Sequence, residues 1–207
     1  MEIGDRITTS GELDAFYRAP SEVAANKVFT TIDDATARFI DRCPFLVLST
    51  TNGTDSIDAS PRGGPPGFLQ RLDDRHIAIP DLNGNNRLDS LRNIVAHGRV
   101  GLLLMVPGKD ETIRINGPAT LTTSADILDG FTAELRRPKL AIVVETAELY
   151  GHCAKAFRRG RVWDPASWEG VADAPDLADI VAEQFGMDLD VSRARLESSY
   201  VSDLARD

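Results

Sequence analysis

Apolar residues recur every three or four positions at the two ends of the chain, and alternate or run together in its middle. Near the start, Leu13, Phe16 and Tyr17 share one helical face behind Ser10, which predicts a short capped helix stopped by Pro20. Ser21 caps another turn or two through Val28. Thr31 caps a third helix, with Asp33 and Asp34 in its first turn and Phe39 and Ile40 as its apolar residues. The period then changes. Residues 44–51 read as a buried strand that turns at Asn52-Gly53, and residues 57–60 return as a short strand. Residues 75–80 alternate like a half-buried strand. Residues 86–97 place Leu88, Leu91, Ile94 and Val95 on one side of a helix closed by Gly98. Residues 99–106 form a strand that Pro107-Gly108 turns into another at 111–122. Ser124 caps a helix through Leu135, and residues 140–149 are the last long strand. Residues 163–175 read as a surface loop. After Asp176 the chain is helical, with Leu196, Tyr200 and Leu204 spaced i, i+4, i+8.

The centre is thus six strands joined mostly by short turns, which favour antiparallel pairing. A closed or partly closed barrel buries such strands and removes their edges. The expected fold is mainly β, a barrel with helices at its periphery, in one domain overall.

Charge narrows the partners. A net charge of −9 over 207 residues argues against broad binding of nucleic acid or anionic membrane, which needs clustered Lys and Arg. In such a chain any local positive cluster is informative. Two cysteines far apart, Cys43 and Cys153, make no disulfide framework, and the opening residues carry no secretory pattern, so a cytoplasmic setting is expected. The longest apolar runs, such as residues 102–106, are too short to span a bilayer.

Three runs can carry chemistry. Residues 58–68 hold three glycines and three prolines around Arg62, a shaped loop that suits close backbone approach to a ligand; a rigid turn with an exposed arginine accounts for it equally. Residues 79–88 follow a strand and open a helix, where free backbone N–H groups suit a phosphate, with Asn85, Asn86 and Arg87 as added donors; simple capping explains the asparagines but does not require Arg87. Residues 151–163 carry one Lys and three Arg with no acid, ending on Trp163; the alternative is a solvated basic loop anchored by the indole. His152 and Cys153 are adjacent, so on a strand they point to opposite faces and make no catalytic pair. Neither Cys-x-x-Cys nor His-x-x-x-His occurs, and no metal site is expected. His76 and His97 read as structural or surface residues, and Glu111 and Glu145 lie in strands where each can point outward.

Taken together, Asp58-Ala59-Ser60-Pro61-Arg62-Gly63, Ala78-Ile79-Pro80-Asp81, Gly84-Asn85-Asn86-Arg87, Leu91-Arg92-Asn93-Ile94, Glu111-Thr112-Ile113-Arg114-Ile115-Asn116-Gly117 and His152-Cys153-Ala154-Lys155-Ala156 resemble the pyridoxamine 5′-phosphate oxidase-like family, in its FMN-dependent-type branch. They cover roughly residues 20 to 165 in order. The resemblance implies a six-stranded antiparallel FMN-binding split barrel of Greek-key type. It also implies a homodimer with two flavin sites at the subunit interface. Arg62 would reach the phosphate or ribityl region, and Ile79, Pro80 and Asp81 would run along the ring. Asn85, Asn86 and Arg87 would receive the phosphate. Glu111 and Thr112 of the other subunit would approach the ring edge, and Lys155, Arg161 and Trp163 would close the site. Residues 43–163 would be the flavin-binding barrel, with helices of residues 1–42 packed on it and a loop and helices over 164–207.

The chain also departs from the oxidase itself. Asn85-Asn86-Arg87 stands where the oxidase has Ser-Arg-Lys, and the C-terminal Arg-Leu-x-x-Arg signature for the vitamin B6 substrate is absent. Gly64 stands where the branch has an acid after Arg62-Gly63. The expected activity is therefore oxidoreduction of a small molecule other than pyridoxine phosphate, with no particular side chain assigned as catalytic. A deazaflavin (F420)-dependent reductase and a non-catalytic flavin- or haem-binding carrier or sensor are the alternatives.

Overall fold

In the computed structural model, which describes residue 1 and residues 3–207, three helices precede the first strand. They are α1 (Ser10–Asp14), α2 (Glu22–Ala25) and α3 (Asp34–Ile40). Thr9 rather than Ser10 caps α1, because Glu12 completes a reciprocal capping box with it. Asp33 rather than Thr31 caps α3 through the Thr36 N–H. These helices are expected to pack on the barrel. α3 does, burying Thr36, Ala37 and Ile40, whereas α1 and α2 bury no residue.

Next come β1 (Phe45–Thr51), β2 (Ile57–Gly63), β3 (Gln70–Arg71), β4 (His76–Pro80) and α4 (Asp89–His97). They are followed by β5 (Arg99–Met105), β6 (Thr112–Thr122), α5 (Ala125–Leu128), β7 (Ala141–Glu145) and β8 (Glu148–His152). The chain finishes with α6 (Lys155–Gly160), two 3-10 turns within the expected loop, α7 (Leu177–Phe185) and α8 (Leu189–Leu204). The helix after Ser124 stops at Leu128 instead of reaching Leu135. No helix among the described residues is long and apolar enough to cross a membrane.

Eight strands replace the expected six, and the sheet is open rather than a closed barrel. Gln70–Arg71 adds a short edge strand, and the expected last strand breaks in two. The order is β2-β1-β5-β6-β7-β4-β3, with β8 also on β6, and every pairing is antiparallel. β6 belongs to two sheets. Its first half lies between β5 and β8, and its second half pairs with β7. The break falls where three residues between Val144 and Glu148 face two between Ala119 and Asn116, a bulge that bends the chain from one sheet to the other. Buried Thr146 pins the bend, its hydroxyl bonding Thr30 O at 2.5 Å and its N–H bonding Arg75 O at 2.8 Å.

The core lies on one face of β1, β5 and β6, where Leu46, Leu48, Leu102, Leu104 and Ile115 are essentially inaccessible, with Ile40 and Ile94 packed over them. α4 is tied down by two side-chain bonds, Ser90 Oγ to Asp58 at 2.5 Å and Asn93 Nδ2 to Thr50 Oγ1 at 3.0 Å. Its inward face is therefore Ser90, Leu91, Asn93 and Ile94, while Val95, expected inside, is 77% exposed.

At Gly117 a Cβ would lie 1.8 Å from Glu145 O, so backbone must move to admit any side chain. Gly117→Ala should lower the unfolding free energy by roughly 2 kcal/mol or more, as overpacking against backbone does. Gly151→Ala, at a position on β8 with no heavy atom within 4 Å of the added carbon, should be near neutral. Chemical denaturation of both variants beside the parent measures the difference.

Candidate functional site

A cleft of about 690 Å³ opens where the end of β2, the segment after β4 and the segment before β7 converge. Pairing of β4 with β7 builds it. Pro80 lies opposite Ala141, and the Asp81 N–H continues the ladder to Leu140 O at 3.0 Å. This sets residues 81–88 beside residues 136–139. Arg62 enters from β2, which runs on through Pro61 and Gly63; the shaped loop expected there is in good part strand.

The loop from Asp81 to Leu88 has its own internal logic. Asn86 adopts a left-handed conformation (φ 57°), one of the few residue types that do so readily, and Asn85 Oδ1 accepts the Arg87 N–H at 3.0 Å. α4 starts only at Asp89, with Leu88 at its cap position and no side-chain cap. The asparagines thus shape the loop and do not cap the helix. The helix N-terminus already carries an anion, because Asp89 occupies its first turn and pairs with Arg87 at 2.9 Å.

Of the residues singled out from sequence, Arg62, Pro80, Asp81, Asn85, Asn86 and Arg87 line the cleft. Ile79 does not; it is fully buried in the core. Glu111, Thr112, Lys155, Arg161 and Trp163 do not line it either. Thr112 is buried opposite His152 on β8, and Glu111 is exposed just before β6. Lys155 is exposed at the start of α6, and Arg161 ends that helix, paired with Asp164 at 2.7 Å. Trp163 stacks on Phe157 and donates its indole N–H to Lys109 O at 2.8 Å.

The cleft also contains Asn83, from within the 79–88 run, and Arg136, Arg137, Lys139, Arg206 and Asp207, which lie outside the three runs. The run Arg136-Arg137-Pro138-Lys139 is a local positive cluster like the one at 155–161, and the same criterion finds it. It was obscured by lying just beyond a helix expected to run to Leu135.

Positive charge dominates this cleft in an acidic protein. Arg62 pairs with Asp81 at 3.3 Å, Arg137 with Asp129 and Arg206 with Asp203, while Arg136 and Lys139 have no ion pair among the described residues. Arg62 and Asp81 are both about four-fifths buried. Burial pushes the Asp81 carboxyl up, by more than Arg62 and Lys139 pull it down, so the ion pair only partly offsets the loss of water. Arg62 Nε is buried without any hydrogen-bond partner. A buried N–H on a cation left without an acceptor is costly, and it marks this guanidinium as short of acceptors.

A second basic cluster lies on the outer face of β6 and β8. Tyr150, opposite Arg114, has Lys27 Nζ 4.6 Å and the Arg114 guanidinium 5.6 Å from its ring centre, with the His152 ring at 5.1 Å. Burial first, then Lys27 and Arg114, holds the His152 imidazole below its ordinary value of 6.5.

The family model of pyridoxamine 5′-phosphate oxidase matches residues 32–153, more than half of the chain. Among solved structures, HupZ of Group A Streptococcus is similar at 13% identity and a TM-score of 0.47, over 58% of this chain and 93% of its own. An FMN-binding protein of Syntrophomonas wolfei gives 14%, 0.41, 56% and 80% in the same order. An FAD-binding protein of Mesorhizobium loti gives 10%, 0.40, 58% and 94%. None of the curated proteins matches the chain.

The depressed His152 value has a consequence for stability. The unfolded chain binds this proton more readily than the folded one, so stability rises with pH through the window below about 6.5 and is lost as pH falls through it. Melting temperatures taken at about pH 7.5 and about pH 5.5 should show a smaller acid-induced drop for His152→Gln than for the parent.

Proposed function

The chain belongs to the pyridoxamine 5′-phosphate oxidase family, and from that premise we propose that it is a cytoplasmic FMN-dependent oxidoreductase of a small molecule. The cleft beneath Arg62 would receive the flavin phosphate. The observation that carries this reading is Arg62 itself, a mostly buried guanidinium whose Nε lacks an acceptor, lining a cleft with two further cations, Arg136 and Lys139, that have no ion pair among the described residues. That donor set fits a phosphate dianion, which needs fixed N–H groups and positive charge. In this reading Arg62 and Arg136 orient the phosphate, and Arg87 and Lys139 lower the cost of its charge. The Asn85 turn holds the loop open, and Pro80 and Phe68 supply apolar wall. Bound FMN would supply the electron transfer. The protein's part is to hold the cofactor, keep water from its phosphate end and leave its reactive edge open.

The second group of expected residues, Glu111, Thr112, Lys155, Arg161 and Trp163, belongs to the site only if a second copy brings it there. The outer face of the sheet supports such a homodimer. Pro61, Val47, Leu103, Arg114 and Tyr150 stand in register across five strands on the face opposite the core. Val47, Leu103 and Met105 on it are half-buried, Phe45 is exposed, and Ile57 at its end is 87% exposed. We take residues 43–163 as the flavin-binding unit in split-barrel form, with residues 1–42 and 164–207 as additions to it.

Titration of the purified protein with FMN and with riboflavin tests the reading. FMN should bind at micromolar concentration, and Arg62→Ala should weaken it by about 10–100-fold, as loss of a charge-assisted hydrogen bond does. Riboflavin, which lacks the phosphate, should be affected much less. Failure of the parent to bind FMN would refute the proposal. In sedimentation the protein should have twice the mass of one chain, and Val47→Glu should yield a folded monomer with impaired FMN binding. A monomeric parent that binds FMN tightly would exclude a shared site.

A further inference from the structure

The cleft proposed to receive a phosphate already holds an anion supplied by the protein. Asp207 Oδ1 accepts from the Asn83 backbone N–H at 2.8 Å and from Asn83 Nδ2 at 2.7 Å. The Arg136 backbone N–H donates to Asp207 O. Two donors converging on one carboxylate oxygen is how proteins commonly hold an oxyanion, and phosphate oxygens accept from the same geometry. We propose that the Asn83 N–H and side-chain amide form the oxyanion seat of the cleft, and that the Asp207 carboxylate, its backbone anchored by the Arg136 N–H, occupies this seat in competition with the phosphate of an incoming ligand. The proposal rests on the reading of the cleft as a phosphate site.

Two further observations support competition over a permanent structural role. First, the cleft stays positive with Asp207 in place, because Arg136 and Lys139 remain without ion pairs among the described residues. A single carboxylate carries less charge than a phosphate dianion, so the dianion gains more from the same cations. Second, the arm that carries Asp207 is lightly attached. α7 and α8 pack chiefly on each other, where Ser192 Oγ donates to Ala178 O at 3.0 Å. Ala178 and Ser192 are their only buried residues. Along α8, Val201 and Leu204 are about 70% exposed. Withdrawing the end of α8 therefore uncovers little apolar surface and breaks only a few polar contacts. Asn83 becomes a ligand-binding residue, and residues 204–207 become a displaceable occupant of the site.

The full-length protein tests this through binding and hydrogen exchange, with no need for turnover. Asp207→Ala and the isosteric Asp207→Asn should each bind FMN about ten-fold more tightly than the parent, because the competing charge is gone. Riboflavin affinity should change little. Asn83→Ala should weaken FMN by about five-fold, the loss of one donor. In the parent, FMN should speed amide exchange over residues 200–207, as the segment leaves the cleft. FMN binding by the Asp207 variants that equals or falls below the parent's, or exchange over 200–207 that slows with FMN, would overturn the proposal and make Asp207 part of the receiving wall. If no variant binds FMN, the cofactor assignment fails separately. Inorganic phosphate then decides the present point: it must speed exchange over the same segment in the parent but not in Asn83→Ala, and failure to do so overturns the proposal.

Discussion

The two sheets share β6 because of a contact between backbones. At Gly117 the bend between β7 and β8 passes so close to β6 that Glu145 O occupies the space of a side chain. Ala147 N–H closes the crossing on Asn116 O at 3.0 Å. Everything that positions the cleft follows from this crossing. It directs β7 away from β8 and into a ladder with β4, and that ladder carries residues 81–88 to residues 136–139. Thr146 secures the same bend by bonding segments that lie far apart in sequence, at Thr30 and Arg75. A small residue on β6 and a buried hydroxyl in the bend that crosses it thus set the shape of a site to which neither contributes a group.

The electrostatics of the chain are arranged by locality. Several exposed arginines are matched at short range, as in Arg87 with Asp89, Arg161 with Asp164 and Arg206 with Asp203, and such surface pairs contribute little to stability. The Arg62–Asp81 pair differs because it is largely out of water. Its carboxyl is pushed up by burial despite its partner, so the pair does not cancel its own desolvation cost. A fold that retains such a pair beside Arg136 and Lys139, which have no ion pair among the described residues, keeps a positive field in the cleft.

Much of this was legible in the sequence, and the failures have physical causes. β1, β4, β5, β6 and α4 stand out because their apolar periods are long and unmixed. The single strand expected over 140–149 broke because Thr146 and Ala147 look like strand residues, and the reason for the bend sits on another strand, at Gly117. Helix α4 starts three residues later than expected because Asn85 and Asn86 suit both a cap and a left-handed turn, and only the φ of Asn86 distinguishes them. Arg62, Asp81 and the 85–87 run were legible as a group because they form recognisable local runs. Asn83 and Asp207 were not, since each is unremarkable where it stands and they meet across more than a hundred residues.

The separation of the paired strands bears on the order in which the molecule assembles. β1 pairs with β2, and β5 with β6, across short connections, and these hairpins can form early. β4 must instead find β7 across some sixty residues, as Pro80 does with Ala141, and closing a loop of that size costs entropy before any contact repays it. The cleft walls other than the end of β2 belong to these late partners. Partly folded chains therefore expose hairpins that bring at most Arg62 to the site, and a ligand that grips every wall interacts with the completed structure alone. Such a ligand slows unfolding far more than it hastens folding, which ties the lifetime of the native protein to the supply of what it binds.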